Sequence, residues 1–498
     1  MKTLFIPLDE RPCNTNFVEM IADSNEKVTL LSPDKSILGD KKTPANIDKV
    51  MQFIAKHSQE VDNIVLSLDM LLYGGLIPSR LHHLTKEEVY QRMEYLSQIK
   101  KLNAKVKIYA FNCIMRAPSY DSSEEEPDYY EQYGYALFRR KYLLDSKNRS
   151  GINEDEEKEL KNISIPQDII DDYEWRRDFN TDINMKVVSY VESGVIDFLV
   201  IPQDDSSPYG YTAISQKKVV DYVREHQLEQ KVMIYPGADE VAMSLLARAY
   251  NEYHDQTISI YPLYSSILGP QIVPKYEDRP MFESLKSHIR VVGGKIATTP
   301  KEADFILAIN SPGKFMQESF EPKDITYTSY RQLLDFSLTI EEYINEGYHV
   351  AVCDSAFSNG GDTQLISYLD QRNVLDKVIA YAGWNTNCNT LGTVLSQSVL
   401  GQQSDKIRYH VIYRILEDVF YQANSRLDII ENVLPKHQLS YYDFKDKQSL
   451  VEETIAKKLI EQYNELKISK TYPVQSLQIY MPWKRMFEIG MNLKIERL

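Results

Sequence analysis

Several features that mark whole protein classes are absent or scarce in this 498-residue chain. Its four cysteines are far apart and form no C-x-x-C pair, so neither a disulfide framework nor a cysteine-based zinc site is predicted. No apolar run approaches the roughly 20 residues needed to cross a bilayer, and the charged Asp9-Glu10-Arg11 stands where a signal peptide would continue its apolar stretch. We therefore expect a cytoplasmic protein with free thiols.

Positive charge is also in short supply. The chain has 57 Lys and Arg against 72 Asp and Glu, which gives a formal net charge of −15. This field repels phosphate backbones and anionic membrane surfaces, so neither a nucleic acid nor a membrane is expected as a partner. Hydrophobic residues make up 43% of the chain, which is enough for a folded globular protein rather than a disordered one.

Sequence motifs of three common enzyme classes are missing. The glycine pairs Gly74-Gly75 and Gly360-Gly361 complete neither a G-x-G-x-x-G fingerprint nor a phosphate-binding loop. There is no G-x-S-x-G nucleophile elbow and no H-E-x-x-H zinc motif. The sequence therefore predicts no bound cofactor and no zinc site.

The chain consists mostly of short β-branched and aromatic runs, each of which is followed by a loop and a helical pattern. This alternation is typical of a parallel sheet with crossover helices, and it places the chain in the α/β class. The ten predicted strands are at residues 3–7, 28–31, 63–68, 106–111, 197–201, 232–235, 258–261, 305–309, 350–353 and 378–381.

The length favours two or three folded units rather than one. Residues 1–270 carry enough strands for a (β/α)8-barrel-like N-terminal domain, interrupted by an acidic excursion at 121–165 whose charge runs are expected to be solvated. Residues 271–402 are predicted to form a smaller doubly wound α/β domain. Residues 403–498 are predicted as a helical C-terminal region with an amphipathic stretch at 405–424, a candidate surface for homo-oligomer formation.

Polar side chains accumulate just after the predicted strands. In parallel α/β folds, ligands bind at the carboxyl ends of the strands, so these loops are the first place to look for a site. One such residue would be explained as a helix cap, but consecutive loops that combine carboxylates, Arg and Asn exceed what capping requires. The candidate substrate-binding residues are Asp9, Arg11, Asn14, Asp69, Arg80, Asn112, Arg116, Tyr209, Asp354, Trp384, Asn385 and Asn387.

Two of the strand-end loops contain adjacent acids, Asp204-Asp205 and Asp239-Glu240. Carboxylates that converge in a pocket shift each other's pKa, which leaves one ionised and the other protonated near neutral pH. Glycoside hydrolysis needs one protonated and one ionised carboxyl. The protonated carboxyl gives its proton to the leaving oxygen, while the negative charge of the other stabilises the oxocarbenium-like centre. Since neighbouring side chains normally point in different directions, an adjacent pair suits substrate-assisted catalysis by an N-acetyl group.

Both pairs resemble hexosaminidase signatures. The segment Pro236-Gly237-Ala238-Asp239-Glu240-Val241 resembles the glycine-x-aspartate-glutamate signature of barrel-fold β-N-acetylhexosaminidases. This implies that Asp239 polarises the acetamide and that Glu240 is the acid, although Tyr235-Pro236 replaces the histidine that commonly precedes the signature. The Asp204-Asp205 pair is similar to the paired aspartates of the O-GlcNAcase-type hexosaminidases, which implies that Asp204 orients and Asp205 is the acid. Only one pair can serve.

A second resemblance covers most of the chain. The PLDERPCN opening, the LDMLLYGGLIPSR loop and the GWNTNCNTLG segment resemble a bacterial family of similar length. That family is defined by its sequence rather than by a known reaction, so the resemblance implies no activity.

The sequence predicts a retaining β-N-acetylhexosaminidase that acts on a small glycan, with Asp239 and Glu240 as the first choice of catalytic pair and Asp204 and Asp205 as the second. Two alternatives stay open. One is a hydrolase of a small acidic or phosphorylated substrate that depends on a divalent cation, because Asp9, Asp69, Asp204, Asp205, Asp239 and Asp354 could gather around magnesium or manganese. In that case Arg11, Arg80 and Arg116 could bind the substrate's anionic group. The other alternative is a carbohydrate sensor that binds without reacting.

Overall fold

A computed structural model describes residues 1–401, 404 and 406–497. The chain divides into two compact units. The first unit comprises Met1–Glu10, Lys27–Leu245 and Tyr276–Asp278. The second comprises Arg11–Glu26, Leu246–Lys275 and Arg279–Leu498. The predicted boundary between residues 402 and 403 lies outside the described residues.

The strands are β1 (Lys2–Ile6), β2 (Thr29–Leu31), β3 (Asn63–Ser67), β4 (Lys107–Phe111), β5 (Phe198–Gln203), β6 (Val232–Pro236), β7 (Ser259–Tyr264), β8 (Lys295–Ile296), β9 (Phe305–Asn310), β10 (Gln317–Glu318), β11 (Val350–Asp354), β12 (Phe357–Ser358), β13 (Ala380–Ala382), β14 (Val474–Tyr480) and β15 (Gly490–Ile495). All ten predicted strands are confirmed, as β1 to β7, β9, β11 and β13.

The helices are α1 (Asn16–Asp23), α2 (Ile47–His57), α3 (Leu68–Tyr73), α4 (Lys86–Leu102), α5 (Tyr130–Arg149), α6 (Glu154–Asn162), α7 (Gln167–Glu192), α8 (Tyr211–Glu225), α9 (Val241–Tyr253), α10 (Met281–Val291), α11 (Thr326–Ser329), α12 (Leu333–Asn345), α13 (Thr363–Gln371), α14 (Asn387–Gly401), α15 (Ile407–Arg414), α16 (Arg426–Asn432) and α17 (Gln448–Glu465). A π-helical segment, Ile415–Ser425, joins α15 to α16.

The first unit contains a six-stranded parallel sheet in the order β2-β1-β3-β4-β5-β6. The chain runs from β1 outward to β2 and then returns past β1 to β3, which is the order of an open, doubly wound sheet. The predicted (β/α)8 barrel is therefore corrected, because no closure of this sheet is found among the described residues. The strand at 258–261, which we counted toward the barrel, is β7 and pairs in the second unit.

The centre of this sheet is buried on both faces. All five residues of β3 are buried. Ile64 of β3 lies opposite Leu4 of β1 and Ile108 of β4, and all three belong to the apolar core of the first unit. A continuous run of branched apolar residues is what a parallel strand covered by helices on both sides requires. The polar residues of the unit are thus left to the strand ends.

The second unit contains a five-stranded parallel sheet in the order β13-β11-β9-β7-β8. Numbered along the chain, this order is again that of a doubly wound sheet, with the reversal between β7 and β9. Two short strands, β10 and β12, pair in parallel beside it. Each unit therefore has its own sheet with a carboxyl edge where a ligand could bind.

The C-terminal part of the second unit is only partly helical. The predicted amphipathic stretch at 405–424 is observed as α15 and the π-helical segment, apart from residue 405, which lies outside the described residues. An antiparallel hairpin of β14 and β15 follows α17, and the sequence pattern did not predict it. In the described part of the chain, no helix combines the length and the apolarity that a membrane span requires. The four cysteines are buried and free.

Candidate functional site

Asp69 is fixed at the carboxyl end of β3 by the short helix α3. Ser67 caps this helix, because its hydroxyl oxygen accepts a hydrogen bond from the backbone N–H of Met70 at 3.2 Å. Gly74 ends the helix in the left-handed conformation, with φ of 91°, and a Cβ there would lie 2.8 Å from the backbone nitrogen of Ala45. Only glycine fits this bend, so Gly74 ends α3, while the Ser67 cap sets the first turn, in which Asp69 lies.

The Asp69 carboxylate is buried and held by hydrogen-bond donors. The backbone N–H of Cys113 donates to Oδ2 at 2.9 Å, and Asn112 Nδ2 donates to Oδ1 at 3.2 Å. Asn112 is itself fixed by Asn184, whose Nδ2 donates to the Asn112 Oδ1 at 2.6 Å. Burial raises the pKa of Asp69 to about 6, and the N–H of Cys113 opposes the rise. Two predicted site residues, Asp69 and Asn112, thus meet in one hydrogen-bonded group.

A second group of charged side chains lies in the same unit, and we call it the arginine–carboxylate cluster. It consists of Arg80, Arg116, Glu125, Glu126, Asp204 and Asp205. Arg80 Nη2 donates to Asp204 Oδ2 at 2.8 Å. Arg116 Nη1 donates to Asp205 Oδ2 at 3.3 Å. Each aspartate of the pair therefore has its own arginine.

The two glutamates tie these arginines together. Glu126 Oε1 accepts from Arg116 Nε at 2.8 Å and from Arg80 Nη1 at 3.2 Å. Glu125 Oε2 accepts from Arg116 Nη2 at 2.9 Å and lies 3.4 Å from Arg80 Nη1. With four carboxyl groups around two guanidinium groups, the cluster carries two excess negative charges when all four are ionised, and a retained proton lowers that excess to one.

The positions of Glu125 and Glu126 correct one prediction. We expected the charge runs of the acidic excursion to be solvated, and this holds for α6, which has no buried residue. Glu126, however, is 1% exposed. The guanidinium groups of Arg80 and Arg116 are occupied by protein carboxylates, which does not favour the alternative that they bind an anionic substrate.

Asp204 and Asp205 are the most accessible members of the cluster, ahead of Glu125 at 17%. Their side chains are 23% and 24% exposed, while that of Arg80 is 1% exposed. Asp205 adopts the left-handed conformation with φ of 45°, which few residues other than glycine do and which is often found at functional sites. Desolvation by the surrounding protein raises the pKa of Asp205 to about 7, and the charge of Asp204 adds to the rise. Arg116 and Arg80 oppose it.

The other predicted pair, Asp239 and Glu240, is less exposed to solvent than Asp204 and Asp205. Asp239 is 6% exposed and Glu240 is fully buried. Glu240 Oε2 accepts a hydrogen bond from the backbone N–H of Ala238 at 3.0 Å. Gly237 has φ of 150°, and a Cβ there would lie 2.1 Å from Glu240 Oε1. The Glu240 carboxylate thus folds back onto its own loop, an arrangement typical of a side chain that shapes a turn.

The two further predicted residues of the first unit are Asp9 and Tyr209. Asp9 is buried at the end of β1. The Tyr209 hydroxyl lies 2.7 Å from the Ser150 hydroxyl, and the guanidinium of Arg149 lies 4.8 Å from the centre of the Tyr209 ring. Tyr209 therefore contacts the segment that follows α5.

In the second unit, Asp354 is the centre of a buried network at the end of β11. Its Oδ1 accepts from Asn310 Nδ2 at 2.8 Å, and its Oδ2 accepts from the Tyr381 hydroxyl at 2.9 Å and from the backbone N–H of Asp362 at 2.7 Å. Asp362 in turn is paired with Arg331 at 2.9 Å. Burial and the charge of Asp362 raise the pKa of Asp354 to about 6.

The π-helical segment places a pair of adjacent acids, Glu417 and Asp418, in this unit, and sequence reasoning missed it. Asp418 is fully buried and accepts from the backbone N–H of Gly383 at 2.7 Å and from Arg414 Nε at 3.0 Å. Glu417 is 4% exposed, and its Oε2 lies 3.5 Å from Arg414 Nη1 without forming a hydrogen bond. Burial, reinforced by the charges of Asp418 and Glu488, raises the pKa of Glu417 to about 8 against the effect of Arg414.

Trp384, a candidate substrate-binding residue, is buried in the second unit. It is 8% exposed, its Nε1 donates to Thr393 Oγ1 at 3.1 Å, and Phe17 packs edge-on at 5.6 Å. The adjacent cavity, which Asn385 and Glu417 also line, has a volume of about 10 Å³. A space of this size holds about one water molecule and no sugar ring.

The remaining predicted residues of the second unit are also engaged. The Arg11 guanidinium lies 4.7 Å from the centre of the Trp483 ring and 3.7 Å from Glu488. Asn14 and Asn387 are 1% exposed. Of the predicted residues of the second unit, Arg11, Asn14, Asp354, Trp384 and Asn387 are buried and Asn385 is half-buried.

The acids proposed as metal ligands are not brought together as a set. Asp354 belongs to the second unit, whereas Asp69 and Asp204 belong to the first. Within residues 1–401, 404 and 406–497, no three His, Cys, Asp or Glu side chains are grouped as a metal ion would require.

The raised pKa values predict an unusual pH dependence of stability. A carboxyl whose pKa is higher in the folded protein binds more protons there than in the unfolded chain, so its contribution to stability is lost as the pH rises through the folded value. Between pH 6.5 and 8, this applies to Asp205, whose pKa is about 7, and to Glu417, whose pKa is about 8. The lowered pKa values of His82 and His410, at about 4, act in the opposite direction from about pH 4 up to the unfolded value of 6.5, and this opposing effect fades over the lower part of the window.

We therefore expect the free energy of unfolding to fall as the pH rises from 6.5 to 8, by up to about 1.4 kcal/mol per pH unit for each proton involved. Urea unfolding at several pH values measures this slope. Glu417→Gln should reduce the slope, while Glu453→Gln, at an exposed position of α17, should leave it unchanged. A stability that is constant or increases over this range would contradict the prediction.

The resemblance that the sequence suggested over most of its length is supported by comparison with protein families. No curated protein matches the chain. A family model described as protein of unknown function (DUF4127) matches residues 3–492, and the chain therefore belongs to that family.

Proposed function

We propose that this protein is a glycoside hydrolase in which Asp204 and Asp205 are the catalytic pair and the substrate is a small glycan containing an N-acetylhexosamine. The observation that carries the proposal is the placement of two adjacent carboxyls at the carboxyl end of β5. Both are about one-quarter exposed, and each is held by a different arginine. Adjacent acids that remain accessible while their partners are buried are suited to chemistry rather than to folding.

Asp205 suits the role of general acid. A carboxyl that is half protonated near pH 7 can give its proton to a leaving oxygen and take one back from water, and the pKa of Asp205 is raised to about 7. The positive φ of this residue turns its side chain away from the direction that an extended strand would give it. Arg116 would then support the carboxylate that forms after proton transfer.

Asp204 suits the role of the orienting group. Its charge-assisted hydrogen bond from Arg80 at 2.8 Å fixes the carboxylate, and Arg80 is in turn fixed by Glu126. A carboxylate held in this way can accept a hydrogen bond from the acetamide N–H. The carbonyl oxygen of the acetamide then attacks the anomeric carbon as the bond to the leaving oxygen breaks and Asp205 donates its proton.

Water completes the reaction. It attacks the anomeric carbon, the bond to the acetamide oxygen breaks, and the Asp205 carboxylate takes up the proton from water. Two displacements at the same carbon give retention of configuration. The burial of Glu240 and its hydrogen bond within its own loop favour Asp204 and Asp205 over the pair at 239 and 240.

A panel of chromogenic substrates tests the proposal. We expect the full-length protein to hydrolyse aryl β-N-acetylhexosaminides at a rate that EDTA does not change, and to leave aryl β-hexosides without the acetamide essentially unreacted. Activity toward phosphate esters that is lost in EDTA would instead support the metal-dependent alternative. Binding of N-acetylhexosamines without turnover of any glycoside would support the sensor.

A further inference from the structure

Arg408, in the first turn of α15, is a half-buried cation that has no partner among the described residues. Its guanidinium makes no hydrogen bond to the described residues and has no carboxylate oxygen of theirs within 4.0 Å, and its Nη1 is shielded from solvent. Burial lowers the pKa of Arg408, while Tyr472 and Asp376 act against this from a distance. An unpaired guanidinium in such surroundings is unfavourable unless a ligand supplies the missing acceptor.

This arginine lines a cavity of about 870 Å³ in the second unit. A volume between roughly 300 and 1,000 Å³ is typical of sites for small molecules. Tyr409 and Tyr472 also line it. The cavity thus offers a ligand two phenol groups and a guanidinium that has no partner among the described residues.

The charge of the cavity wall differs from that of the whole molecule. Lys406, Arg408 and Arg497 face two acids, Asp23 and Asp376, in a chain with a formal net charge of −15. The Lys406 ammonium lies 2.5 Å from the Asp23 carboxylate, so these two charges compensate each other. Among the described lining residues, the excess positive charge is therefore carried by the arginines.

We propose that this cavity binds a small organic anion whose carboxylate or phosphate group pairs with Arg408. The planar fork of a guanidinium matches the two oxygens of either group, and the tyrosine hydroxyls can bind further polar atoms of the ligand. The cavity contains none of the residues assigned to hydrolysis, so this inference is independent of the proposed function. The cavity would be a second ligand site of the protein, formed by residues of the second unit.

Isothermal titration calorimetry of the full-length protein tests this inference, with inorganic phosphate and succinate titrated separately. We expect saturable binding of at least one of the two anions, and the one that binds more tightly identifies the source of the anionic group. Arg408→Gln should weaken binding about tenfold or more, since a charge-assisted pair is lost. Because Arg408 has no partner to lose among the described residues, its replacement should not lower the melting temperature in the absence of the anion.

Two further variants make the result decisive. Asp376→Asn removes an acid that opposes the bound anion, so we expect it to strengthen binding. Arg290→Gln replaces an exposed arginine of α10 and should leave the affinity unchanged. The absence of saturable binding to the wild-type protein, or equal affinities of wild type and Arg408→Gln, would overturn the inference.

Discussion

Replacing Asp205 with Asn is expected to lower the turnover of an alkyl or sugar N-acetylhexosaminide by roughly 10² to 10⁴, the usual contribution of a general acid. An aryl glycoside with a strongly activated leaving group should be much less affected in its first step, because that leaving group needs no proton. Asparagine keeps the shape of the side chain and tolerates the left-handed conformation at this position, where φ is 45°. The loss would therefore reflect the missing proton rather than a changed fold.

The pH profile provides an independent measurement. If Asp205 donates the proton, the wild-type rate should fall as the pH rises above about 7, and this limb should be missing from the residual activity of the variant. Asp221→Asn, at an exposed ion pair of α8, serves as the matched control and should retain full activity. Full activity of Asp205→Asn together with inactivity of Glu240→Gln would move the catalytic pair to residues 239 and 240.

The strands could be predicted from the sequence because parallel strands covered on both faces leave continuous apolar runs. In β9, for example, all six residues are buried. By contrast, β14 is mostly half-buried or exposed and gave no such run. The barrel was wrongly predicted because barrels and doubly wound sheets share the same alternation of strand and helix. The two folds differ in how their strands pair, and here β1 pairs with both β2 and β3. Strand pairing cannot be predicted from the local sequence of each strand.

The candidate site shows a similar division. Asp204 and Asp205 could be found because they are adjacent and directly follow an apolar strand. Glu125 and Glu126 were misjudged because a run of acids looks solvated until its counter-charges are known, and Arg80 lies 45 residues or more away in the chain. The signal that could have found them is the presence of two arginines in neighbouring strand-end loops, which need buried partners.

Arg414 and Asp418 were missed for a related reason. Their spacing of four residues within an amphipathic stretch is typical of a surface ion pair on a helix. The structure instead buries both, since Arg414 is 3% exposed and lies 4.2 Å from the centre of the Phe17 ring. The sequence shows the spacing of the two residues but does not show that they are buried. Burial determines how much the ion pair affects stability.

Replacing Arg414 with Met is expected to lower the free energy of unfolding by about 3–5 kcal/mol, because Asp418 and Glu417 would remain buried without their counter-charge. The double variant Arg414→Met, Asp418→Asn should recover part of this loss, and the defect should be smaller at pH 5.5 than at pH 8, where the buried carboxyls must ionise. Calorimetric or urea unfolding measures both effects. As the control, Arg372→Met removes the partner of Glu341 from an ion pair whose side chains are 24% and 28% exposed, and it should cost no more than about 1 kcal/mol. Equal losses for the two arginines would mean that the pair at Arg414 is no more important than a surface pair, and that its burial does not govern the stability of the second unit.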